Sequence, residues 1–214
     1  MTPKTPLVVD LYHGDRVTDF AALKAAGIAG IIHKAQQGAS PNAYDPTYDI
    51  RRRSARAAGL LWGAYHFMTN DDPALQAATF MRAASPDALT LLAVDFEPYG
   101  RRTPTLQQLR IILQEILRIA GRKAVIYSGS LLKETLGAEK DEFLGSHRLW
   151  LAEYAEHWKL EPLTAWKQPW LWQFTGDGVG PTPHSVPGIQ GAGGHVDLNY
   201  YDGPDDELAR EWAS

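Results

Sequence analysis

Leu91-Leu92-Ala93-Val94-Asp95-Phe96-Glu97-Pro98 reads as a strand that ends on two acids. Side chains alternate along a strand, so Asp95 and Glu97 share one face with Cα atoms about 6.5–7 Å apart. Val94 and Phe96 take the other face, toward covering helices. Pro98 has no N–H for a ladder and biases Glu97 toward extended geometry, so the strand stops there. Two carboxylates at the C-terminal end of a strand occupy the place where β/α barrels put their chemistry.

Working outward, seven more apolar, β-branched or aromatic runs flank this one: Leu7–Leu11, Ile28–His33, Leu60–Phe67, Lys123–Tyr127, Arg148–Tyr154, Pro169–Phe174 and His195–Tyr200. With Leu89–Phe96 they make eight strand candidates, too short and too continuous for helices. Helix patterns with proper ends lie between the early ones. Residues 19–26 carry Phe20 and Leu23 on one face and stop at Gly27. Residues 48–58 form a basic-faced helix stopped by Gly59. Residues 73–84 follow Asp71-Asp72, good N-cap residues, with proline at the first helical position. Thr103-Pro104 repeats that start signal for a helix running to Gly121. Alternating strand and helix predicts parallel pairing with right-handed crossovers, and eight units predict a closed, TIM-like α/β barrel. From Leu149 onward the connections look helix-poor, and residues 176–194 hold seven glycines and three prolines. So long a loop in a compact domain is usually functional.

The chain has 214 residues, 21 Lys+Arg, 25 Asp+Glu and no cysteine, for a net charge of −4. That length suits one domain, and the expectation is a single barrel over residues 1–214 with no separate binding module. The mild acidity argues against nucleic acid, and no apolar run approaches the ~18 residues of a membrane span. Without cysteine there is no disulfide, thiolate catalysis or Cys-ligated zinc. The first ten residues lack the ~7–15 residue apolar core of a signal peptide. That leaves open retention in the cell and release by a route that needs no such signal.

Asp10, in Val8-Val9-Asp10-Leu11, and Asp197, in His195-Val196-Asp197-Leu198-Asn199-Tyr200, repeat the strand-borne acid. First, fourth and eighth strands thus each deliver carboxylate to one rim. A single such aspartate is more often a helix N-cap or a loop tie. Together they read as a site, because clustered acids force at least one pKa upward and keep a general acid protonated. A metal site would want histidines at ligand spacing, and none of the seven histidines sits in a His-Glu-x-x-His pattern. A Gly-x-Ser-x-Gly elbow, a P-loop and a Gly-x-Gly-x-x-Gly after a strand are also missing from the sequence. Seven tryptophans favour a sugar, since an indole face suits stacking on a pyranose. Most of them serve the core. Tyr12, Tyr65, Trp150 and Tyr154 are the candidates to face ligand, with Lys34, His66, Tyr127 and Trp172 as further substrate-binding candidates. For His66 a hydrogen-bonded structural role weighs equally.

In their order these segments resemble glycoside hydrolase family 25, the muramidase-type lysozymes. Val9-Asp10, Ile32-His33-Lys34-Ala35-Gln36-Gln37-Gly38, Gly59-Leu60, Gly63-Ala64-Tyr65-His66-Phe67 and Asp95-Phe96-Glu97 carry the resemblance through the first half. Ile126-Tyr127, Leu149 to Tyr154, Leu171-Trp172-Gln173-Phe174 and Val196-Asp197-Leu198-Asn199 carry it through the second. The resemblance implies a monomeric, cofactor-free barrel enzyme acting on peptidoglycan glycan strands, at the β-1,4 bond between N-acetylmuramic acid and N-acetylglucosamine. It makes Glu97 the general acid. Asp95 would stabilise the reacting centre or polarise the substrate acetamido group, and Asp10 and Asp197 would complete an acidic floor. Two places depart from the family pattern: Tyr12, Gly14, Asp15 and Arg16 after the first strand, and Gln36-Gln37 where Thr-Glu is usual. A chitinase-like barrel is the nearest rival, but Thr90 and Ala93 stand where its two upstream acids belong. A catalytically silent carbohydrate-binding barrel has no reason to keep Asp95 and Glu97.

Overall fold

The computed structural model describes residues 8–214. Eight strands close into a barrel: β1 (Val8–Leu11), β2 (Gly30–Gln37), β3 (Leu61–Phe67), β4 (Thr90–Asp95), β5 (Val125–Ser128), β6 (Leu149–Ala152), β7 (Leu171–Thr175) and β8 (Asp197–Tyr200). Leu7, the expected start of the first strand, lies outside the described residues. Neighbours from β1 through β7 pair in parallel.

β8 departs from the expected parallel pairing and runs antiparallel to both β1 and β7. The reason is the connection. No α-helix crosses back after β7. The glycine-rich segment stays at the rim where β7 ends, so the chain re-enters the barrel from the top. Two residues of that segment, Ile189–Gln190, pair with Arg16–Val17 as a small separate ladder.

Strand alternation sorts the interior into two layers. Val8, Ile32, Leu91, Val125, Trp150 and Leu171 fill the barrel lumen. Val9, Ile31, Leu92, Val94, Phe96 and Leu151 face outward, where they pack with Leu23, Phe80, Ile112 and Ile116 of the surrounding helices. Those helices are α1 (Phe20–Ala25), α2 (Tyr48–Ala57), α3 (Pro73–Ala84), α4 (Leu106–Ala120), α5 (Ser130–Leu136), α6 (Glu142–Gly145) and α7 (Asp205–Glu211). Asp72 caps α3 as expected, accepting Leu75 N–H, while Asp19, expected inside α1, caps it instead and accepts the N–H groups of Ala21 and Ala22. The start of α4 falls at Thr105 rather than at Thr103-Pro104. A 3₁₀ turn at Gly100–Arg102 precedes it, and Thr105 forms a reciprocal capping box with Gln108. Among the described residues no helix is long and apolar enough to cross a membrane.

α7 and the residues after it seal the bottom of the barrel. Trp212 is buried, and its indole N–H donates to Trp62 O at 2.8 Å. Gly30 makes room for it, since a Cβ there would lie 2.8 Å from the ring. With the bottom plugged, the rim at the other end is the open one.

Candidate functional site

Four carboxylates gather at that rim. Asp95 ends β4, and the chain beyond it stays extended, with Phe96 N–H still donating to Tyr127 O at 2.9 Å. That continuation returns Glu97 to the face of Asp95, where each carboxyl group acts on the titration of the other. Asp10 and Asp197 are direct register partners across the β1–β8 pair. Asp197 is the first residue of its strand. In a parallel barrel it would lie at the bottom; reversal of β8 brings it to the rim.

Below the acids runs a continuous polar chain. Trp150 Nε1 donates to Asn199 Oδ1 at 2.5 Å, and Asn199 Nδ2 donates to Asp10 Oδ2 at 2.7 Å. Gln173 Nε2 donates to the same Asp10 oxygen at 2.9 Å, while Tyr127 OH donates to Gln173 Oε1 at 2.6 Å. Gln173 and Asn199 were not among the sequence candidates. The signal was there in part, because Asn199 lies two residues beyond Asp197 and must share its face.

All four acids are pushed upward from the ordinary carboxylate range, and desolvation is the main cause in each. For Asp10 the charge of Asp197 adds to it, while the Asn199 and Gln173 amides hold it down. For Asp95 the neighbouring Glu97 charge adds and Lys34 opposes. Glu97 is lowered by its hydrogen bond to Asp95 and raised by Asp177. Asp197 reaches about 7 even though Asp177 N–H donates to its Oδ1 at 3.1 Å. An upward shift makes a carboxyl group better able to hold a proton and donate it. One oxygen, Asp95 Oδ1, is buried without a hydrogen-bond partner.

The aromatic candidates divide. Tyr65 and Tyr154 are half-buried and face the acids, whose charges, after burial, push both phenols upward. Tyr12 is exposed on the turn after β1. Lys34 is half-buried with Nζ 2.6 Å from Gln37 Oε1 and 4.9 Å from the Phe67 ring centre. Tyr127 lies in the lumen, its hydroxyl spent on Gln173.

Three candidates are displaced from the site. Trp150 is only 2 % exposed, a lumen residue beneath the acids with its ring 4.4 Å from that of Tyr127, so it has no face for a sugar. Trp172 points to the outside of the barrel, against Phe174 and Tyr200, because Gln173 takes the inward position. His66 alternates outward next to Tyr65. It is fully buried, paired with Gln76 of α3 at 3.1 Å and packed on Phe80. Desolvation holds it down at about 4, as a neutral structural ring. Among the described residues no group of three or more His, Asp or Glu side chains could hold a metal ion.

Known proteins share this architecture. The chain superposes on a lysozyme from Streptomyces coelicolor with a TM-score of 0.81 at 20% identity, covering 99% of this chain and 98% of that one. A family 25 lysozyme from Aspergillus fumigatus gives 0.79 at 21% identity, covering 99% and 100%. In sequence, an autolytic lysozyme of Clostridium acetobutylicum is 28% identical over 149 residues, 68% of this chain and 44% of that protein. The uncharacterized protein YegX of Escherichia coli O157:H7 is 27% identical over 168 residues, 77% of this chain and 56% of its own length. The chain thus spans about half the length of the curated relatives it matches. Residues 9–182, which contain three of the four rim acids and the strands that position them, match one family throughout, and the chain belongs to glycosyl hydrolases family 25.

Proposed function

We propose that the chain is a peptidoglycan hydrolase, an N-acetylmuramidase that cleaves the β-1,4 bond between N-acetylmuramic acid and N-acetylglucosamine. The observation that carries this reading is the Asp95–Glu97 pair: two desolvated carboxyl groups that act on each other's titration, with Asp95 Oδ1 left without a partner. Glu97, less enclosed than Asp95, donates its proton to the leaving glycosidic oxygen. Asp95 Oδ1 accepts the N–H of the substrate's 2-acetamido group. That polarises the acetamido oxygen toward the anomeric carbon.

The unpartnered Asp95 oxygen favours this division of labour. A carboxylate nucleophile stands about 5–5.5 Å from its acid partner, and a base that activates water about 6.5–9.5 Å away. Neither role is asked of Asp95 here, because its buried, unpartnered Oδ1 suits it to accept an N–H. The acetamido oxygen then serves as internal nucleophile, and configuration is retained. When ionised, Asp10 and Asp197 supply negative field that stabilises a cationic sugar ring. Tyr65 and Tyr154 flank it.

Purified peptidoglycan tests the reading. The wild-type chain lowers the turbidity of a wall suspension, and Glu97→Gln lowers the rate by about 10²–10⁴-fold, the usual share of a general acid. Undiminished lysis by Glu97→Gln overturns the role of Glu97. Mass spectrometry of the fragments decides the bond. Reducing-end N-acetylmuramic acid supports a muramidase, and reducing-end N-acetylglucosamine overturns it in favour of the chitinase-like reading. Binding without fragments would mark a carbohydrate-binding barrel.

A further inference from the structure

Asp15 is 8 % exposed, in the turn that follows β1. Its Oδ2 accepts Tyr12 N–H at 2.8 Å, and its Oδ1 accepts Ala192 N–H at 2.9 Å. One carboxylate therefore ties the first loop of the barrel to the glycine-rich loop that leads into β8. The tie sits beside the site, since Asp15 is five residues after Asp10 and Ala192 five before Asp197. The β1–β8 pairing ends at Asp10 and Asp197, and antiparallel pairing of the same two stretches resumes at Arg16 with Gln190. Asp15 spans the gap between the two ladders.

Two further features hold this arrangement. Arg51 of α2 donates to Tyr12 O at 2.8 Å and also to Asp15 O, fixing the backbone on both sides of the turn. Arg51 Nη1 lies 2.9 Å from His33 Nε2. The tautomer allows it, because His33 Nδ1 is 2.7 Å from Lys34 O and so carries the proton, leaving Nε2 as acceptor. On the other loop, Gly188 O accepts from Thr18 N at 2.8 Å and Asp19 N at 3.2 Å. Gly188 has φ +88°, and a Cβ there would collide with Asp19 O, so only glycine allows the approach.

We propose that Asp15 is a positioning residue, a latch that holds the two loops together and so keeps Asp10 and Asp197 opposed at the rim. Substrate need not touch it. Its charge also reaches both acids, adding to the upward push on each. The proposal rests on the hydrolase reading for its kinetic consequence, but its structural content is separately testable.

Two variants break the latch from opposite sides. Asp15→Asn keeps the size while turning one acceptor into a donor that faces an N–H. Ala192→Pro removes the donor itself. Ala192 opens a 3₁₀ turn behind Gly191 at φ −64°, ψ 164°, a backbone that accepts a following proline. Hydrogen exchange on the full chain is expected to quicken across residues 12–17 and 188–197 in both variants. Kinetics on peptidoglycan are expected to show kcat reduced by up to about 100-fold with KM little changed, the signature of misplacement rather than lost binding. Wild-type exchange in Asp15→Asn overturns the latch whether or not the chain is active. Quickened exchange with unchanged kcat, or with only KM raised, overturns the positioning role. If the wild-type chain itself fails to lyse peptidoglycan, the hydrolase reading falls while the exchange result still decides the latch.

Discussion

Asp10 and Asp197 face each other directly across the antiparallel β1–β8 pair. Like charges opposed in this way destabilise a sheet, and here the pair is also desolvated. The barrel tolerates it because two amides, from Gln173 and Asn199, converge on one Asp10 oxygen. Such an arrangement sacrifices stability at a site, and it makes specific changes measurable.

Asp197 is pushed from its ordinary 3.8 to about 7, by burial first and then by the Asp177 and Asp15 charges. Between those values the folded chain holds a proton that the unfolded chain has released. The stability due to this group is therefore fully present below about pH 4 and lost as pH rises through 7. Asp197→Asn, which keeps an acceptor for Asp177 N–H, should match wild type in Tm near pH 3 and exceed it at pH 8. A gain of about 1 kcal/mol corresponds to about 2–4 °C at this size. A lower Tm than wild type at pH 8 would refute the argument. Activity should fall in the same variant, as expected where a site carries stored electrostatic cost.

Gln173 and Asn199 should prove costly to remove. Gln173→Ala strands the Tyr127 hydroxyl, and Asn199→Ala strands the Trp150 indole N–H. Each leaves a buried polar group unpaired, a loss of about 1–3 kcal/mol in urea unfolding. Both amides hold Asp10 down, so each variant should also move the acid limb of the kcat/KM profile to higher pH. An unmoved limb would show that Asp10 does not govern it.

Lys34 is the cation that favours ionised Asp95. Lys34→Met keeps much of the side-chain volume over Phe67 and removes the charge. Asp95 is then pushed further up, and the half-saturation point of activity on the acid side should shift to higher pH. The check is a pH–rate series on soluble glycan fragments, with far-ultraviolet circular dichroism to establish folding. A shift to lower pH would contradict the placement of Lys34 beside Asp95.

Much of this molecule is legible in its residues alone. The strand pattern, the lumen-facing acids on β1 and β4 and the cap at Asp72 follow from period, turn chemistry and side-chain alternation, which are local properties. Alternation even condemns His66 once Tyr65 is assigned inward, because adjacent strand residues face opposite sides. The family resemblance rests on the same local segments.

What the tertiary structure decided is everything that depends on where a strand enters the barrel. Asp197 opens its strand, and only the reversal of β8 puts it on the rim beside Asp10. The inward position of Gln173 assigns Trp172 to the outside, and the depth of Trp150 below the rim makes it packing rather than platform. Asp15 and Ala192 are 177 residues apart in sequence and meet through one carboxylate. Local chemistry is written along the chain, whereas direction, depth and long-range pairing are set by how the barrel closes.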